Sequence, residues 1–171
     1  MSKAIDILKK EHENILKAIE LLLNECEVSE KSGIINSKYF LSAVDFIKNY
    51  ADKFHHAKEE DVLFVELCKD SVNMHCNPIQ QMLHEHDLGR RYIKELEAGI
   101  KSSDLPKVLA GARSYVYLLK DHIYKEDNIL YPIADEALSD KTKDEILAKF
   151  EKIAKQYSKI NKRYETFYKT E

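Results

Sequence analysis

Two gapless copies of one short pattern, sixty-seven residues apart, constrain this chain more than anything else in it. His55-His56-Ala57-Lys58-Glu59-Glu60-Asp61-Val62-Leu63-Phe64 aligns with His122-Ile123-Tyr124-Lys125-Glu126-Asp127-Asn128-Ile129-Leu130-Tyr131. Each copy contains His-x-x-x-Glu. On a helix, side chains four apart share a face with Cβ atoms about 5–6 Å apart, so each copy presents an imidazole and a carboxylate to the same ion. Two such helices facing each other make a metal site.

Composition agrees with long helices. The 171 residues suffice for one well-buried domain, and only four Gly and three Pro interrupt them. A formal net charge of -3 without a sustained basic block argues against nucleic acid as a partner. The N-terminus runs directly into an amphipathic pattern, and no apolar stretch approaches membrane-spanning length, so no membrane partner and a cytoplasmic location are expected. Cys26, Cys68 and Cys76 are odd in number and sparse, which suits reduced thiols better than a disulfide framework.

Periodicity divides the chain into five helical segments. Ile5, Leu8, His12, Ile15, Ile19 and Leu22 mark the first, over about residues 3–28. Asn36 or Ser37 caps a second that reaches about Lys69, with Val44, Ile47, Ala51, His55, Glu59 and Val62 inward. Asn77-Pro78 opens a third, carrying Met82, His86, Arg90 and Ile93 and ending near Lys101. Asp104 and Pro106 start a fourth, with Tyr115, His122, Glu126 and Ile129 inward and Pro132 in its last turns, where it is expected to bend or end the helix. A fifth, over about residues 140–168, repeats Ile146, Phe150, Ile153, Tyr157, Ile160, Tyr164 and Phe167 in steps of four and three. That narrow seam packs across the bundle or against a second chain, as in a homodimer. The expected architecture is all-α: an up-down-up-down four-helix bundle over residues 1–138 with an additional C-terminal helix over 139–171.

His12, His55, His86 and His122 all fall on inner stripes. Short loops make successive helices antiparallel, and at about 1.5 Å per residue the four imidazoles reach one layer, which Glu59 and Glu126 extend by a turn. Two buried carboxylates without a cation would cost several kcal/mol each, a cost that bound metal converts into affinity. Structural zinc prefers four ligands, often thiolates, whereas six nitrogen and oxygen ligands with two bridging carboxylates suit two iron ions. Such a set leaves about two of the twelve octahedral positions open, even after one bridging oxygen from solvent.

Around these residues the chain resembles the hemerythrin-like, or HHE cation-binding, proteins, over roughly residues 4–135. The resemblance rests on Glu11-His12-Glu13, His55-His56-Ala57-Lys58-Glu59-Glu60 with Leu63-Phe64, Met82-Leu83-His84-Glu85-His86-Asp87-Leu88-Gly89-Arg90, and His122 to Pro132. It implies a four-helix bundle around a carboxylate-bridged, non-haem di-iron centre with His12, His55, Glu59, His86, His122 and Glu126 as ligands. Oxygen-carrying members keep a further histidine on the third helix, at the place Met82 takes here, which implies a more open, more reactive or sensory centre.

The neighbouring polar residues receive plainer readings. His56 shares a stripe with Asp52 and Asn49, a solvated face. His84 stands about 200° around the helix from His86, at the surface. Tyr115 is a core tyrosine within reach of a bound ligand, and Cys68, His75 and Cys76 surround the second interhelical loop. Two function classes follow: a protein that binds or senses dioxygen, nitric oxide or peroxide, or an enzyme that reduces peroxide or nitric oxide or donates iron in repair of iron-sulfur clusters. Only eleven residues precede His12, so the cysteine-bearing N-terminal domain of the repair proteins is not expected. A metal-free structural bundle is the third alternative.

Overall fold

The computed structural model describes residues 1–69, 72 and 78–164, the side chains of 160–162 excepted. His75, Cys76, Asn77 and Phe167 lie outside the described residues. Those described form helices and no strands. The first, α1, is Lys3–Ser32, a turn longer than expected, and ends where Gly33 takes a left-handed φ of 70° and its amide closes on the Ser29 carbonyl. The second, α2, spans residues 37–67 and starts on Asn36, whose side chain accepts from the Tyr39 amide. Within it, Ile47–His56 and Glu59–Leu63 are π-helical. The third, α3, is Ile79–Ser102. The fourth, α4, spans residues 105–137 with Asp104 accepting from the Lys107 amide, and is π-helical over Glu126–Leu130. Pro132 does not end α4, because its missing amide falls at the start of the α-helical stretch that follows the π turn.

Two glycines set the spacing of α3 and α4, the most closely packed pair. A Cβ on Gly111 would stand 2.8 Å from the Leu96 amide nitrogen, and one on Gly99 would stand 2.8 Å from that of Val108. Backbone meets backbone at both points. α1 lies along α4, and α2 contacts both α1 and α3. Among the described residues the interior divides into two apolar clusters: one around Leu22, Phe40, Phe46, Leu96 and Val116, the other around Ile5, Leu8, Leu63, Met82 and Tyr131.

The C-terminal segment departs from one continuous helix. It divides into α5, Asp140–Gln156, and α6, Ser158–Tyr164, with Tyr157 between them. Ile146 and Phe150 are buried in the second apolar cluster, Ile153 and Tyr157 pack partly buried on the first, and Tyr164 reaches Phe46 and Tyr50. The described part of the seam thus lies on its own chain. The break at Tyr157 lets Tyr164 donate from its hydroxyl to Asp45 at 2.5 Å beside the Arg163–Asp45 ion pair. No helix among the described residues is long and apolar enough to cross a membrane.

Candidate metal centre

His12, His55, His86 and His122 are each 3% exposed or less, and Glu59 and Glu126 are completely buried. The imidazoles meet in two pairs. His12 Nε2 is 3.0 Å from His55 Nε2, and His86 Nε2 is 2.9 Å from His122 Nε2. Glu126 joins the pairs, with Oε2 3.3 Å from His12 Nε2 and Oε1 3.2 Å from His122 Nε2. Oε2 of Glu59 lies 3.5 Å from His55 Nε2 and 3.6 Å from His86 Nε2, while its Oε1 accepts from the Tyr131 hydroxyl at 2.5 Å. All six expected residues are therefore brought together, and Glu59 and Glu126 both sit between the histidine pairs.

A second layer orients the first. Every one of the four imidazoles turns Nδ1 toward a carboxylate: His12 to Asp127 at 2.9 Å, His55 to Glu11 at 3.0 Å, His86 to Glu60 at 2.6 Å, and His122 to Glu85 at 2.8 Å. The order is circular, α1 serving α2, α2 serving α3, α3 serving α4 and α4 serving α1. The outer carboxylates are held in turn by cations. Lys58 Nζ, itself buried over the Phe54 ring, donates to Glu11 at 2.8 Å, and Lys125, one repeat later, donates to Glu85. Arg90 binds Glu60 at 2.6 Å and Asp52 at 2.8 Å. The sequence reading overlooked this layer, although its members adjoin the ligands in Glu11-His12, Glu59-Glu60, Glu85-His86 and Glu126-Asp127. Tyr131, stacked on His12 with ring centroids 5.6 Å apart, was also overlooked.

His56 departs from expectation. It is 8% exposed rather than solvated, because Arg90 lies across Asp52 and Glu60 and closes that face. Its ring stacks on His86 at 3.7 Å between centroids, and its Nδ1 contacts Asp52 at 3.2 Å. Burial and the neighbouring His86 hold its pKa down, to about 4. The two facing pairs have centroids 4.6 and 4.7 Å apart in tilted or edge geometry, so His56 stacks on the centre and does not repeat the arrangement of the facing imidazoles. His84 is exposed, Tyr115 is buried, and Met82 is 2% exposed in the apolar cluster. Cys26 is buried and free, its thiol pushed up to about 11 by burial, and Cys68 is exposed and free.

Three features fit these residues to metal. A neutral imidazole carries one proton, and a carboxylate at Nδ1 takes it, which leaves two bare Nε2 lone pairs facing each other in each pair. Imidazoles in adjacent octahedral positions, about 2.1 Å from a metal, have nitrogens about 3.0 Å apart, as observed here. Next, Glu59 Oε2 and both oxygens of Glu126 are buried without a well-formed hydrogen bond, a costly state that a cation relieves. Lastly, seven carboxylates reach an imidazole and three cations reach those carboxylates, and the surplus of four negative charges equals the charge of two divalent ions.

Without metal, protons would take that role. Burial alone would lower His12, but Asp127 and Glu126 outweigh it and raise its pKa to about 9; burial likewise opposes His122, which Glu126 and Glu85 raise to about 10. Burial and then the charge of His12 drive His55 well below its ordinary value. Burial and the charge of Glu126 hold Glu59 well above its own.

A family model described as the hemerythrin HHE cation binding domain matches residues 3–134. No curated protein and no solved structure matches the chain.

Proposed function

We propose that this chain, which belongs to the hemerythrin HHE cation-binding domain family, is a non-haem di-iron protein that binds or senses a small oxidant: dioxygen, nitric oxide or peroxide. The observation that carries this reading is the pairing of Nε2 atoms at 2.9 and 3.0 Å with buried carboxylates between them. In it, His12 and His55 would hold one iron and His86 and His122 the other, with Glu59 and Glu126 offered to both. Helices α1 to α4 run up and down in turn over the described residues of 1–138, and the appendage that starts at residue 139 packs on them as far as it is described, to Tyr164.

Iron bound there would supply redox-active positions at which a small oxidant coordinates. The protein's own groups prepare those positions. Glu11, Glu60, Glu85 and Asp127 fix the tautomer and rotation of the four imidazoles, a role whose loss typically costs 10–100-fold in metal affinity. The Tyr131 hydroxyl holds Glu59 by one oxygen and leaves the other facing the histidines. The cluster containing Met82, Leu8 and Leu63 keeps water from that side.

Metal analysis tests the reading directly: close to two irons per chain are expected, and one zinc or no metal overturns it. His86→Ala should lower metal content and stability, His84→Ala should do neither. The enzymatic alternative, reduction of peroxide or nitric oxide or donation of iron for cluster repair, draws support from Met82, which cannot supply the further imidazole expected of an oxygen carrier. Stopped-flow spectra of the reduced protein separate the two: a lasting spectrum after mixing with air means binding, and rapid oxidation with turnover of peroxide means an enzyme.

A further inference from the structure

A cavity of about 220 Å³ lies between α2, α3 and α4 and ends on one side of the centre only. His56, His86 and His122 line its inner end, whereas His12, His55, Glu59 and Glu126 contribute nothing to it. Its walls are largely apolar: Ile47, Ile93, Leu118, Leu119 and the Tyr115 ring, with the bare backbone of Gly89. Lys48, Lys94 and Glu97 form its rim.

Size and charge decide what fits. Apolar cavities of about 150 Å³ take up benzene, and the share of one water in the liquid is about 30 Å³. A diatomic gas would leave most of this space empty, while a single ring with a short substituent fills it. Most charged groups around it are already engaged, Arg90 with Asp52 at 2.8 Å, Lys48 with Glu97 at 3.1 Å and Glu85 with Lys125, and Lys94 stands exposed at the rim, so an ionic ligand finds little to recognise at the inner end. His56 gives Nδ1 to Asp52, which leaves Nε2 for one polar group on the ligand.

We propose that this cavity binds a small uncharged organic molecule, a single ring or short alkyl group with one hydroxyl-type polar end, seated against the His86–His122 half of the centre. The nearness to iron rests on the di-iron reading; the cavity site does not. The centre is accordingly two-sided: one half closed by Tyr131 and apolar packing, the other open to an organic co-ligand.

Titration of 4-fluorophenol, followed by fluorine NMR, tests this on metal-free and iron-loaded protein. One saturable site is expected in both, with the bound resonance broadened by paramagnetism only when iron is present. Gly89→Leu should weaken binding at least tenfold at unchanged metal content: its Cβ would stand 3.4 Å from the Tyr115 ring, an ordinary contact, and the rest of the side chain would occupy the cavity. If that variant loses its helical signal, Leu118→Trp fills the space from the opposite wall. Absence of saturation in the metal-free protein, or equal affinity in the filled variants, overturns the proposal. Saturable binding without broadening in a protein holding two irons overturns the contact with the centre. A protein that takes up no iron yet keeps the fluorophenol site sinks the di-iron reading and leaves this one standing.

Discussion

Lys58 and Lys125 occupy the same place in the two copies and make the same contact, each donating to the glutamate that precedes a histidine on the neighbouring helix. Their surroundings differ. The Lys58 side chain is 1% exposed and that of Lys125 is 34% exposed. Lys58→Met should therefore leave Glu11 as an uncompensated buried charge and cost about 3–5 kcal/mol, and Lys125→Met distinctly less, by urea unfolding. Adding Glu11→Gln to Lys58→Met should recover part of the loss, and a Lys58→Met cost below about 1 kcal/mol would show that the pair contributes little. The six inner residues were legible because a repeated four-residue spacing fixes a shared face. Lys58, Glu11 and their counterparts were not, because a charge beside a ligand in sequence points a different way around the helix, and only the neighbouring helix shows what it meets. His56 was misread for the same reason: its stripe looked polar, and the Arg90 that covers it comes from α3.

Long, uninterrupted periodicity made the existence and order of the helices readable, and the described ends of the first four fell within a few residues of expectation, whereas the fifth, expected unbroken to about residue 168, divides at Tyr157 and its expected end lies outside the described residues. The π-helical turns were not readable, since no residue type marks a widened turn. Glu59–Leu63 and Glu126–Leu130 nevertheless occupy the same place in the two copies, directly at the carboxylates that sit between the histidine pairs, as expected where π-bulges serve a site. Nor did the sequence disclose how closely α3 and α4 approach. Gly111→Ala would set a methyl group 2.8 Å from the backbone of Leu96, and a backbone cannot swing away as a flexible side chain can. It should destabilise the protein by about 1–3 kcal/mol and lower iron content by parting the helices that carry His86 and His122. Unchanged unfolding and unchanged metal content would place the rigidity elsewhere.

For the molecule as a whole, the centre is a concentration of unbalanced charge inside an otherwise apolar interior. A ligand that binds only the folded state at a hundred times its dissociation constant adds about 2.7 kcal/mol, and in a chain of this size each kcal/mol moves the melting temperature by about 2–4 °C. Iron loading should accordingly raise the melting temperature by more than about 5 °C, and chelation should reverse the rise; equal melting curves with and without iron would show that the buried carboxylates are satisfied by protons alone. The circular order of the carboxylate-to-histidine contacts reaches further than affinity. Because each helix orients the imidazole of the next, taking away α2 or α4 would disturb one histidine of each pair, and so both halves of the centre, whereas taking away α1 or α3 would disturb both histidines of a single pair. Full occupancy would then be a conjunction of four conditions: a bundle with one helix unseated would keep at most one intact histidine pair, so the grade of metal content would report how far folding of this chain has gone.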